Sequence, residues 1–203
     1  LLSLTDQGVL PPFIGDPASE GPSGFSPFLF TPEDFVAVFG TSPHRSRILT
    51  GFFEYRKALR RFGVSGTQWI GGSFVEDCKK IRGREPSDID VVTFIDGATV
   101  PQPGHPLHED FRTFISHSHR KVLKADYLCD AFIVSAMYLH PSGGLMNVYA
   151  ATDVVRYWCN FFGHSRSIAG AAQVWKGMVE IPLSTDPVDA EAVRLLEKEG
   201  GGS

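Results

Sequence analysis

Cysteine is scarce in this chain. Cys78, Cys129 and Cys159 are the only three among 203 residues, and they are odd in number and widely spaced. That pattern excludes a disulfide framework and a zinc knuckle, and it makes a reducing cytoplasm the expected compartment. Long apolar runs are also missing. The most apolar stretch, Ala131 to Leu139, is far too short to span a bilayer, so no membrane association is expected. No basic-then-apolar segment opens the chain. Positive charge is not in excess: 19 Lys and Arg stand against 23 Asp and Glu, for a net charge of −4, which argues against a dedicated duplex-DNA binder. No internal repeat is visible. His117 and His119, two apart in a polar helical stretch, would point in different directions and do not suit a shared metal. His164, close to Arg166, is the one histidine with a candidate role.

What the chain does have is ordinary globular composition, 42% hydrophobic and 21% charged, and enough length for one domain with a substantial core. Residues 1–30 are rich in Pro, Gly and Ser and read as an extended arm. Residues 31–199 form the main domain, and residues 200–203, Gly-Gly-Gly-Ser, resemble a linker remnant. Thr31-Pro32-Glu33-Asp34 and Ser42-Pro43 are helix starts. Ile48, Leu49, Phe52, Phe53, Leu59 and Phe62 make an apolar stripe that ends at Gly63, read as core. Strands are expected at Thr67–Gly71, Asp88–Ile95, Cys129–Met137 and Trp175–Leu183. Helices are expected from Ser73, over Leu107–Lys124, over Thr152–Phe162 and after Asp186-Pro187, with a break at Pro141–Gly144. Interleaved helices and strands predict an α/β (α+β) fold: a small mixed sheet flanked by helices.

The chemistry concentrates in Ser87-Asp88-Ile89-Asp90-Val91-Val92, preceded by Gly71-Gly72-Ser73. Residues two apart on a strand share a face, so Asp88 and Asp90 aim together. Two adjacent anions on a buried sheet need a cation between them. Mg2+ is the natural occupant, because it takes oxygen ligands and keeps positions open for phosphates. A Gly-Gly-Ser turn lets backbone N–H groups approach anionic oxygens. Three basic clusters accompany it. Arg56, Lys57, Arg60 and Arg61, and likewise Arg120, Lys121 and Lys124, read as solvated helix faces. Lys79, Lys80, Arg82 and Arg84 lie between the turn and the Asp pair, where polyphosphate would arrive.

Gly72-Ser73, a helical interval, and Asp88-Ile89-Asp90-Val91 resemble the signature of the polymerase-β-like nucleotidyltransferase superfamily. The resemblance implies a nucleotidyltransferase-like core in which Gly72 and Ser73 hold the phosphates of a nucleoside triphosphate. Asp88 and Asp90 would bind two Mg2+ ions, and a third carboxylate, Asp130, would come from a later strand, with Asp126 as the alternative. The long interval from Ser73 to Asp88 implies an inserted loop around Lys79 to Glu85. Leu10-Pro11-Pro12, Gly72-Ser73-Phe74, Cys129-Asp130, Phe161-Phe162-Gly163 and Lys176-Gly177-Met178-Val179-Glu180-Ile181 are in addition similar to small bacterial nucleotidyltransferase-like proteins of mobile elements and defence or toxin–antitoxin loci. Lys176 is then a ligand for the nucleotide's charge or an exposed strand lysine. Tyr157 and Trp158 stack a base or belong to the core. The implied activity is transfer of a nucleoside monophosphate to a hydroxyl of RNA (a tRNA end, for example), a protein or a small molecule. The alternative is a catalytically silent nucleotide-binding or protein-interaction module.

Overall fold

The computed structural model describes residues 2–16, 19, 21, 24–135, 148–165 and 173–200. Five strands form one mixed sheet in the order β1 (Phe28–Leu29), β5 (Val179–Leu183), β2 (Gly66–Gly71), β3 (Ile89–Ile95) and β4 (Cys129–Ser135). β1 runs parallel to β5 and β3 parallel to β4, while β2 is antiparallel to both its neighbours. Around the sheet lie helices α1 (Pro32–Phe39), α2 (Pro43–Arg60), α3 (Cys78–Arg82), α4 (His108–Phe114), α5 (Arg120–Tyr127), α6 (Val148–Phe162) and α7 (Ala190–Gly200). The fold is therefore mixed α+β with an open sheet, as the interleaved pattern predicted. No described helix is long and apolar enough to cross a membrane.

Strand periodicity sorts the two faces. Ile70, Ile89, Val91, Ile95, Cys129 and Ala131 join the main core, with Phe35 of α1, Phe52 and Leu59 of α2, Leu123 of α5 and Leu196 of α7. The alternate residues, Val92 with partly buried Trp69, Phe94, Phe132 and Val134, pack instead against Trp158 and Phe162 of α6. Among the described residues one face thus carries a thick helical layer and the other chiefly α6. Asp90 shares its strand face with Val92 and Phe94, and Asp130 shares its own with Phe132 and Val134, so both carboxylates belong to the thinly covered side.

Several local expectations are met for the expected reasons. Thr31 and Ser42 each accept a hydrogen bond from the backbone N–H three residues on, with Pro32 and Pro43 at the helix starts. Others are corrected. No helix begins at Ser73: residues 72–75 are turn, and α3 starts only at Cys78, capped by Asp77. The expected 107–124 helix is two helices, parted where Ser116 turns extended and its hydroxyl takes the Thr113 carbonyl at 2.8 Å, a local bond that competes with helix continuation. The last strand begins at Val179 rather than Trp175. Gly177 N–H donates to the Leu10 carbonyl and Met178 N–H to the Ser26 hydroxyl, so this stretch is tied to the N-terminal segment before sheet pairing starts. Within that segment Val9 and Leu10 are buried and Phe28–Leu29 is a strand. Ala136 and Met137, the break at Pro141–Gly144, and Arg166 lie outside the described residues.

The first basic cluster is only in part a solvated face: Lys57 and Arg61 are exposed, but Arg56 and Arg60 are not. Arg56 is fully buried; its guanidinium donates to both carboxylate oxygens of Asp189 (2.8 and 2.9 Å), to Gln68 Oε1 (2.6 Å) and to the Pro182 carbonyl (2.9 Å). Arg60 adds a second cation to Asp189. The network joins α2, β2, β5 and the start of α7. Burial pushes the Asp189 carboxyl up, but the hydrogen bonds and charge of Arg56 and Arg60 outweigh it and hold it below the usual carboxylate value. Its contribution is present above about pH 4, where the unfolded carboxylate ionises, and is lost as pH falls through the lower folded value. Asp189→Ala is expected to lower the unfolding free energy by about 3–5 kcal/mol in urea melts at neutral pH, and to flatten the pH dependence of stability below about pH 4.

Candidate functional site

β2 ends at Gly71 and the chain turns through Gly72, whose φ of +67° is left-handed. A Cβ on Gly72 would stand 1.8 Å from Asp90 Oδ2, and one on Gly71 would fall 2.3 Å from the ring of Phe162. Both glycines are therefore required by close approach, and Gly72 by conformation as well. Antiparallel pairing sets Gly71 opposite Asp90, and parallel pairing sets Asp90 opposite Asp130. Asp88 lies just before β3 and accepts from the Ser87 hydroxyl at 2.7 Å. Gly72, Ser73, Asp88, Asp90 and Asp130 line one cleft of about 220 Å³, with Arg82, Arg84 and Lys124. Phe161, Phe162 and His164 contribute a further part of its wall.

The turn is held from behind. Lys176, 3% exposed, donates to the Gly72 carbonyl at 2.7 Å and pairs with Glu76 at 2.5 Å. Glu76, itself buried, also holds Arg82 at 3.0 Å. Burial lowers the Lys176 ammonium, against the raising influence of Glu76. Lys176 is thus neither an exposed strand lysine nor a free cation; it fixes the turn. Because C=O and N–H point opposite ways across a trans peptide, tying down the Gly72 carbonyl directs the Ser73 N–H away from Lys176. Arg45, buried and stacked over the Phe74 ring at 4.5 Å, hydrogen-bonds the Phe74 carbonyl on the other side of the turn. With no helix starting at Ser73, any anion held here meets turn N–H groups, the Ser73 hydroxyl and the two arginines rather than a helix end.

The carboxylates already face cations. Lys124 is ion-paired with Asp88 and lies 3.6 Å from Asp130, and Arg120 is 2.5 Å from Asp130. The hydrogen bond to Asp88 raises the Lys124 ammonium. Burial pushes the Asp130 carboxyl up, while Arg120 and then Lys124 more than offset it, leaving it lowered and ionised at neutral pH. Among the described residues no three acidic, histidine or cysteine side chains converge as a ready metal cage. A single ammonium instead stands between two carboxylates.

The sequence named Asp88, Asp90, Asp130, Gly72, Ser73 and Lys176, and all six line the cleft. His164 lines it too. Asp126 does not; it is an exposed residue in the last turn of α5. Trp158 is core, whereas Tyr157 is exposed. The segment read as an inserted loop around Lys79 to Glu85 contains α3. Lys124, Arg120 and Glu76 were missed as site residues. The Arg120/Lys124 spacing was the available signal, because residues four apart share a helix face. Gly72→Ala is expected to cost about 1–3 kcal/mol of stability through left-handed strain, with a further loss from the Asp90 contact. Urea unfolding of the variant against wild type measures it; an unchanged midpoint would mean the turn relaxes freely.

No curated protein and no solved structure matches the chain. A family profile matches over residues 2–182, which takes in every site residue above. The chain belongs to DUF6932, a family of unknown function.

Proposed function

We propose that this protein is a Mg2+-dependent nucleotidyltransferase of the polymerase-β-like type, working in the cytoplasm and transferring a nucleoside monophosphate from a nucleoside triphosphate to an acceptor hydroxyl. The supporting observation is the meeting of Gly72–Ser73 with Asp88, Asp90 and Asp130 in one cleft, where Gly72 leaves no room for a side chain against Asp90. The donor set is three carboxylates, the hard oxygen ligands Mg2+ takes. A cation, the Lys124 ammonium, already lies against two of them. Asp88, Asp90 and Asp130 would hold the metal, which supplies charge neutralisation on the phosphates and acidifies the acceptor hydroxyl. Gly72 and Ser73 bind the β- and γ-phosphates through backbone N–H and hydroxyl, with Arg82 and Arg84 adding positive charge. The acceptor oxygen attacks the α-phosphorus in line; its bond forms as the α–β phosphoanhydride bond breaks and pyrophosphate leaves. The hydroxyl proton passes to Asp130 and on to solvent. Bacterial defence or a toxin–antitoxin pair is the setting this reading suggests.

A second reading has its own support. Lys124 and Arg120 neutralise the acids within the chain, as a catalytically silent nucleotide-binding or interaction module would arrange. Two measurements separate the readings. A triphosphate with Mg2+ at about 100 times its Kd should stabilise wild type by about 2.7 kcal/mol, and Asp88→Asn should abolish that gain. Labelled triphosphate should then leave its nucleotide on an acceptor. Stabilisation without transfer would establish the silent module, and no stabilisation would end both nucleotide readings. Because ammonium and metal share the same oxygens, Lys124→Met should bind Mn2+ more tightly than wild type, by about tenfold if roughly 1.4 kcal/mol of competition is removed. Electron paramagnetic resonance titration reads the free Mn2+ directly, and weaker binding by the variant would refute the competition.

A further inference from the structure

A second cavity of about 430 Å³ adjoins the first and is lined by His117, Ser118, Arg120, Lys121, Lys124 and Asp130. The two cavities share Lys124 and Asp130. They differ in charge. In the first, Arg82, Arg84, Lys124 and Lys176 are balanced by Glu76, Asp88, Asp90 and Asp130. In the second, Arg120 is paired with Asp130 and Lys124 with Asp88 and Asp130, so Lys121 is the surplus cation, with the His117 ring and the Ser118 hydroxyl as further hydrogen-bonding groups. This surplus of one positive charge is opposite in sign to the chain's net charge of −4. Lys121 is exposed and has no carboxylate within ion-pair distance among the described residues. Arg120 also lies over the Phe132 ring at 3.7 Å, which holds its guanidinium at the junction. The cluster therefore does not behave as a solvated helix face: its cations border an opening that leads to the site's third carboxylate.

We infer that this second cavity is the acceptor site, and that it takes the 3′ end of a single-stranded RNA, placing its terminal hydroxyl beside Asp130. The inference rests on the transferase reading for its chemistry and adds the acceptor class. An RNA strand carries a charge at every nucleotide, so a backbone phosphate would pair with Lys121 and the Ser118 hydroxyl while the strand's end reaches Asp130. A volume of about 430 Å³ lies within the roughly 300–1,000 Å³ of small-ligand sites, a room for a terminal nucleotide rather than for a duplex. The acidic remainder of the protein repels a long duplex and leaves the local positive field to select the strand.

The test uses the full chain and a fluorescein-labelled ten-nucleotide RNA, with anisotropy followed across a salt series. Lys121→Gln is expected to weaken binding about threefold to tenfold and to reduce the log–log salt slope by about 0.7, the loss of one single-strand phosphate contact. Lys121→Arg should keep both. Lys57→Gln, at an exposed lysine on α2, should change neither. Thermal stabilisation by triphosphate should be the same in all four proteins. Unaltered RNA binding in Lys121→Gln would overturn the inference, as would equal competition by a polyglutamate peptide of the same length, which would point to an acidic protein acceptor. RNA binding that depends on Lys121, in a protein that triphosphate does not stabilise, would uphold the groove and remove the transferase reading instead.

Discussion

The register of three neighbouring strands is the constraint on which the site depends. Gly71, Asp90 and Asp130 are consecutive partners across β2, β3 and β4, so turn and carboxylates are brought together by backbone pairing rather than by side-chain search. A slip of one residue in β3 would send Asp90 to the helical face and bring Val91 to the cleft. The slip is opposed by packing: Ile89, Val91 and Ile95 are buried on one face, and Val92 and Phe94 against Trp69 and α6 on the other. The apolar residues between the acids are thus what aim the acids.

Charge at the cleft is arranged in two layers. Behind the turn, Lys176 and Glu76 form a buried pair, with Glu76 also holding the partly buried Arg82 of the cleft wall, and an unpaired member there would be costly. At the mouth, Lys124 and Arg120 oppose Asp88 and Asp130 with longer, partly solvated side chains. The buried Lys176–Glu76 pair belongs to the scaffold. The front layer can rearrange at small cost, because a half-exposed lysine gains little from its pair. A site that must exchange one cation for another needs this difference.

Local sequence rules recovered what local physics determines. Thr31 and Ser42 caps, the Phe52-centred stripe, the Asp88-x-Asp90 periodicity and the approximate strand positions all follow from spacing along the chain. Contacts between distant segments were not legible. Arg56 read as solvated because nothing near it in sequence reveals Asp189, Gln68 or Pro182. Lys176 read as either a nucleotide ligand or an exposed strand lysine because its partner Glu76 lies one hundred residues earlier. Lys124 read as a helix surface because its partner Asp88 comes from another element. Arg56, Lys124 and Lys176 are long cationic side chains whose environment is set by tertiary packing, while Asp90 and Asp130 sit on strands whose period fixes their direction.

The strand order carries a consequence for how the molecule assembles. β5, drawn from residues 179–183, lies between β1 near the start of the chain and β2. The Phe28–Val179 pairing therefore closes a loop of about three quarters of the chain, and such distant pairings form late. Until β5 emerges from the ribosome, β2 presents an unpaired edge and Phe28 has no strand beside it. The nascent chain can complete the β2–β3–β4 sheet, including the acidic row, while one edge of that sheet is still open to other chains.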